Sequence, residues 1–93
     1  MVIGVLTVEL SIDDAFSLKE KRMVLNRIRD RVRQKFNVAI AEVEDNESWN
    51  HACLGVVTVS NERRYSNQVL SKVVELIESE HDCRLEDFTI EFL

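Results

Sequence analysis

Val2-Ile3-Gly4-Val5-Leu6-Thr7-Val8-Glu9-Leu10-Ser11-Ile12 alternates in chemistry, and just beyond it Ser17-Leu18-Lys19-Glu20 starts a different rhythm. In the first stretch Val2, Gly4, Leu6, Val8, Leu10 and Ile12 fall on one side, and Ile3, Val5, Thr7, Glu9 and Ser11 on the other. Period two with β-branched residues predicts a strand whose even face is buried. Asp13-Asp14-Ala15-Phe16 reads as a loop. Ser17 to Glu20 has the S-x-x-E form of a capping box, in which the serine oxygen accepts from the Glu20 N–H and the glutamate reaches back. A helix therefore starts there. At about 100° per residue, Leu18, Val24, Leu25, Ile28 and Val32 make one apolar face running to about Lys35.

Outward from this pair, residues 36–43 predict a second strand and residues 52–60 a third. The polar stretch from Glu44 to His51 suits a hairpin loop between them. The facing of the third strand stays open, since Leu54/Val56/Thr58 and Gly55/Val57/Val59 both supply an inward set. Asn61 is placed to cap a second helix, in which Tyr65, Val69, Val73, Leu76 and Ile77 keep helical spacing to about Glu80. His81-Asp82 turns the chain. Residues 83–92 then form a last strand with Phe88, Ile90 and Phe92 on one side and Asp87, Thr89 and Glu91 on the other.

The order is β-α-β-β-α-β. The right-handed crossover rule, applied twice, gives a four-stranded antiparallel sheet with both helices on one face, the ferredoxin-like split βαβ arrangement of the α+β class. Residues 1–93 make one such domain, with no length left for a second. The other sheet face is left open. Its Ile3, Val5, Thr7, Glu9, Thr89 and Glu91 mix apolar and polar chemistry, and a face of that kind pairs with a partner, a second copy being one candidate.

Bulk composition agrees. Hydrophobic content of 45% and charged content of 31% suit a folded globular chain and argue against disorder. No apolar run approaches the roughly 18 residues of a membrane span. The N-terminal residues lack a basic region and a cleavage site, and they are needed as a strand, so no signal peptide is read. Cys53 and Cys83 form no C-x-x-C pair. Free thiols and a cytoplasmic location are the expectation.

The net charge of −5 hides an asymmetry. Residues 17–35 hold eight of the twelve basic residues and two of the seventeen acids, a balance of +6. The remainder carries four bases and fifteen acids, or −11. Overall acidity therefore does not exclude a polyanionic partner, because a local basic face can bind one.

Val2-Ile3-Gly4-Val5-Leu6, then Ser17-Leu18-Lys19-Glu20-Lys21-Arg22, then Phe36-Asn37-Val38 with Ala41-Glu42-Val43, then Trp49, then Leu54-Gly55 with Thr58-Val59-Ser60-Asn61, resembles the bacterial YlxP-like family, a domain of unknown function. The match runs over essentially the whole chain, and the S-L-K-E-K-R hexapeptide is its most specific piece. The resemblance implies a ferredoxin-like fold and a gene neighbourhood of translation and ribosome-maturation factors, without an established activity. Many relatives are expected to carry His before the Ser-Leu-Lys-Glu motif, where this chain has Phe16.

The first helix is the leading candidate site. Wheel angles place Lys19, Arg22, Arg29 and Arg33 in one stripe with Asn26 inside it, and Arg27 and Arg31 on the opposite flank. Such a stripe can neutralise several phosphates of RNA or of a ribosomal component with sequence-independent, salt-sensitive affinity. The competing reading is a solvated face whose stems cover core edges and whose charges pair locally. Lys21 falls in the middle of the apolar face, where it either snorkels past the sheet end or pairs with Glu9, Asp13 or Asp14. The alternative function is a homodimer or other protein interface formed by Ile3, Val5, Thr7 and Trp49.

Other chemistries fare worse. Glu42, Glu44, Asp45, Glu47 and His51 could offer oxygens to a hard cation, but at no EF-hand spacing, so no metal is expected. An RNA-recognition motif needs aromatics on the two central strands; Ile3, Val5 and Thr7 stand on the first, and the third has none. An acylphosphatase-like cradle would need arginine and amides in the loop that holds Asp13 and Asp14. A copper carrier would need paired cysteines there. The two glycines, Gly4 and Gly55, form no phosphate loop. No complete nucleophile, base and oxyanion set assembles near Asp13, Asp14 and Lys21. The expectation is a module without catalysis, cofactor or membrane contact.

Overall fold

The Ser17 cap forms as its spacing predicts. Ser17 Oγ accepts from the Glu20 N–H at 3.2 Å, and the Glu20 carboxylate accepts from the Phe16 N–H at 2.6 Å. Helix α1 (Leu18–Lys35) follows. In this computed structural model, which describes residues 1–44 and 48–93, it lies between strands β1 (Val2–Ser11) and β2 (Ala39–Glu42) in the chain. Strand β3 (His51–Ser60), helix α2 (Arg63–Glu78) and strand β4 (Arg84–Phe92) complete β-α-β-β-α-β. The sheet order is β2-β3-β1-β4, with every neighbouring pair antiparallel.

The even residues of β1 are buried, as their alternation predicts: Leu6, Val8 and Leu10 have no exposed surface. This decides the facing of β3. Its residues opposite them are Val56, Leu54 and Ala52, all fully buried, with Thr58 opposite Gly4. From the helix layer, Leu25, Ile28 and Val32 of α1 and Leu70, Val73, Val74 and Ile77 of α2 close the core. Leu18, assigned to the apolar face from the wheel, is 40% exposed.

Two expected elements differ. Residues 36–38 are not strand: the Phe36 N–H caps α1 on the Val32 carbonyl at 2.9 Å and the Val38 N–H bonds back to Phe36, so the segment is a tight connection and β2 begins at Ala39. Asn61 does not cap α2. Glu62 holds that position without a side-chain bond, while Ser60 Oγ accepts from the Glu62 N–H at 3.3 Å and sits 2.5 Å from Ser66 Oγ. The buried face of α2 is also rotated from the expected one. Ser66 and Leu70 face the sheet, Val69 and Leu76 are half-buried, and Tyr65 is exposed. The cause is Gly4: a Cβ there would stand 3.0 Å from Leu70 Cδ1 and 3.4 Å from Ser66 Cβ, so the missing side chain lets α2 settle onto β1 through its small Ser66.

On β4, Phe88, Ile90 and Phe92 face the helix layer opposite Val8, Leu6 and Gly4, and a bulge at Glu9/Leu10 shifts the register below Asp87. No helix among the described residues is long and apolar enough to cross a membrane.

Candidate nucleic-acid interface

α1 divides its charges between two flanks. On the flank toward the α2–β4 connection, Arg27 pairs with Asp82 and Arg31 with Glu80, whose side chain is 6% exposed. In the centre, Lys21 is 2% exposed. Its Nζ stands 3.2 Å from Glu42 Oε2 and donates to the Ser48 carbonyl at 2.9 Å. Lys21 thus joins α1 to β2 through Glu42, not through Glu9, Asp13 or Asp14.

On the flank toward β2, Lys19, Arg22, Asn26 and Arg33 are exposed and Arg29 is half-buried. Arg33 Nη2 donates to the Ile40 carbonyl at 3.1 Å, which lays its guanidinium along the outer edge of β2. Arg29 Nε is buried and has no hydrogen-bond partner among the described residues. None of Lys19, Arg22, Arg29 or Arg33 forms an ion pair with a described carboxylate. From Lys19 to Arg33 the stripe is about 21 Å long at 1.5 Å per residue. The structure therefore brings together the whole basic set expected from the sequence. It adds what spacing cannot show, that the cations on one flank are neutralised internally while those on the other meet no carboxylate among the described residues.

The expected protein interface is not one patch. Ile3, Val5 and Thr7 do lie on the open face, half-buried among Val57, Val59, Ala39 and Ala41. Trp49, 49% exposed, precedes His51, which pairs with Ser11, whereas Ile3 pairs with Val59. Eight residues of strand, about 26 Å, separate these two ends. The open face grades from this apolar end to Glu9, Asp87 and Cys53 at the other.

The remaining polar groups form local networks. Ser11 Oγ donates to Asp13 at 2.8 Å, and Arg84 reaches Asp13 at 3.3 Å and Glu86 at 3.8 Å. His51 stands 4.0 Å from Glu86. Of the acidic hairpin, Glu42 is engaged by Lys21, while Asp45 and Glu47 lie outside the described residues. Among the described residues no three metal-ligating side chains come together. Cys53 and Cys83 are free thiols. Burial, then the carboxylates of Glu44, Glu9 and Glu42, push the Cys53 thiol above its ordinary value. Burial and Glu80 raise Cys83 against a smaller opposing effect of Arg27. A cleft of about 390 Å³ beside Ala15, Phe16 and Met23 ends at the Arg27–Asp82 pair.

These elements define a ferredoxin-like α+β domain carrying a cationic helix. The backbone is similar to a de novo designed protein with a ferredoxin fold, at a TM-score of 0.62 and 15% identity, over 100% of this chain and 84% of that one. It is also similar to a C-terminal segment of the alpha subunit of aIF2 from Pyrococcus abyssi, at 0.52 and 15%, over 97% of this chain and 48% of that one. A third likeness is to SnoaB, a cofactor-independent oxygenase from Streptomyces nogalater, at 0.53 and 8%, over 99% and 90% of the two chains. At these identities the likeness concerns the fold alone. In sequence, the chain is 42% identical over 78 residues to the uncharacterized protein YlxP of Bacillus subtilis (strain 168), covering 84% of this chain and 85% of that one. A profile described as a protein of unknown function (DUF503) matches residues 3–90, and the chain belongs to that family.

Proposed function

We propose that this domain is a non-catalytic accessory module that binds RNA, free or in a ribosomal particle, through the β2-facing flank of α1. The observation that carries the reading is the contrast between the flanks of one helix. Arg27 and Arg31 are neutralised by Asp82 and Glu80, while Lys19, Arg22, Arg29 and Arg33 keep their charge without a described carboxylate. Clustered, unneutralised cations gain free energy by releasing counterions from a phosphate backbone. Arg22 and Arg33 also present planar donor forks suited to phosphate oxygens. Asn26 stands between them as a neutral donor and acceptor.

Filter binding of a structured RNA across a salt series tests this. With four phosphates engaged, the logarithm of affinity falls with the logarithm of salt at a slope of about −3.6. Replacing Arg22 and Arg33 by Ser lowers affinity and flattens the slope by about one unit for each phosphate no longer neutralised. No retention at low salt, or retention unchanged by the substitutions, overturns the reading.

The exposed apolar end of the open face, where Val59 is 57% exposed, favours a second reading, a protein partner seated over Val5, Val57 and Val59. Val57→Glu would abolish such an interface and leave RNA retention intact.

A further inference from the structure

The two edges of the sheet are finished differently, and the hydrogen-bond parity shows how. Ile3 and Leu93 exchange both backbone bonds, at 3.4 and 2.8 Å. In an antiparallel ladder bonded and non-bonded pairs alternate. Val5–Glu91 and Thr7–Thr89 are therefore bonded pairs, and the N–H and C=O groups of Phe88, Ile90 and Phe92 point away from β1. Two further contacts agree with that parity. The Val43 N–H bonds to Cys53 at 3.0 Å, which turns the Ile40 carbonyl outward on β2, where Arg33 takes it. The outward Phe88 N–H donates to its neighbour's Asp87 Oδ1 at 2.9 Å.

The β2 edge is thus four residues long and covered by Arg33. The β4 edge is nine residues long, lacks Lys and Pro, and has no described partner for the outward groups of Ile90 and Phe92. An uncovered edge of that length is a template for another strand.

We propose that β4 pairs with β4 of a second copy, antiparallel about a two-fold axis at Ile90, joining two sheets into one of eight strands. The register follows from the sequence of the edge. Centred on Ile90, the outward groups of Phe88, Ile90 and Phe92 meet those of Phe92, Ile90 and Phe88 of the second copy, so every outward group in this stretch finds a partner. Phe88, 44% exposed in the single chain, then lies against Phe92 of the second copy on the helix side. On the open side Glu91 faces Thr89 and Asp87 faces Leu93, so no two carboxylates stand directly opposite. A centre at Thr89 would set Glu91 against Asp87, and a centre at Glu91 would set that residue against itself, both disfavoured by like charge. A centre at Phe88 would run the ladder into the bulge below Asp87. Asp87 acts as the guard on this edge, because its carboxylate holds the Phe88 N–H that the second strand needs.

The test is amide hydrogen exchange of the intact protein by NMR, with sedimentation at the same concentrations. The Ile90 and Phe92 amides are expected to exchange about tenfold more slowly once dimer dominates, while the exchange of residues 89 and 91, already bonded to β1, changes little. Asp87→Ala, which frees the Phe88 N–H, is expected to tighten the dimer. A chain and an Asp87→Ala variant that both stay monomeric to about 1 mM overturn the proposal. So does a dimer in which the Ile90 and Phe92 amides exchange as in the monomer, the outcome expected if copies associate through the open face instead.

Discussion

The two glycines offer a comparison in which the shorter contact should cost less. A Cβ built on Gly55 would stand 2.7 Å from Val43 Cγ1, and one on Gly4 would stand 3.0 Å from Leu70 Cδ1. Distance alone would rank Gly55→Ala the more damaging. What decides is whether the neighbour can move. Val43 is 56% exposed on the open face, so it can turn into solvent for roughly 0.5–1.5 kcal/mol of rotamer energy. Replacing glycine by alanine in an extended strand returns about 0.5–1 kcal/mol by restricting the unfolded chain. Gly55→Ala should therefore lie within about 1 kcal/mol of the parent protein. Leu70 has no exposed surface and is hemmed in by Ser66 Cβ at 3.4 Å and Thr58 Cγ2 at 3.5 Å from the new carbon. Overpacking of that kind costs about 1–3 kcal/mol, so Gly4→Ala should lose about 1–2 kcal/mol after the same backbone gain. Urea unfolding at equilibrium reads the difference, and thermal melting should show a drop of about 5–15 °C for Gly4→Ala. If Gly55→Ala proves the less stable of the two, or Gly4→Ala is neutral, the idea that Gly4 seats α2 on the sheet is wrong.

The Lys21–Glu42 pair is buried at one end only, with side-chain exposures of 3% and 31%. Glu42→Gln, which removes the carboxylate 3.2 Å from the buried ammonium, should cost about 2–3 kcal/mol, and Lys21→Met less, about 1–2 kcal/mol, because Glu42 can rehydrate; urea midpoints in the opposite order would refute this. Ser17→Ala removes the acceptor for the Glu20 N–H and should lower stability by about 1 kcal/mol, with the loss of helicity confined to the first turn of α1 in amide exchange. Both thiols titrate above their ordinary value of 9.0 in the folded chain, so their contribution to stability is complete below that pH and declines as pH rises past it. Urea midpoints should accordingly fall above about pH 9, and Cys53→Ala should reduce the decline. At pH 8 a thiol reagent should modify half-buried Cys83 well before Cys53, which is 3% exposed; equal rates would contradict this packing.

Much of the architecture was legible because its signals are local. The alternation of Val2 to Ile12 needs only the pleat of a strand, and Ser17–Glu20 closes its own hydrogen bond within one turn. The stripe Lys19–Arg33 was readable for the same reason, since helix geometry places side chains without reference to anything else. Residues 36–38 and Asn61 were misread on local hydrogen bonds, and the other misses originate in contacts between distant segments. Ser66 reads as a polar surface residue until Gly4, far away in the chain, makes room for it. Lys21 has three acids close by in the sequence or on β1, yet it takes Glu42, because α1 crosses above the β2 side of the sheet. Trp49 and Ile3 are both exposed or half-exposed apolar residues, and only the β1–β3 register shows that they lie at opposite ends.

By itself, the sequence determined six elements, their order, the buried face of β1 and the cationic helix, because periodicity and capping are properties of neighbouring residues. Only the tertiary structure decided which cations find a described carboxylate, because pairing depends on what the topology lays against each flank of α1: Glu80 and Asp82 on one side, the edge of β2 with its outward Ile40 carbonyl on the other. It likewise decided that β2 is the covered edge and β4 the uncovered one, since the direction of an outward carbonyl follows from the ladder and not from the residue that bears it.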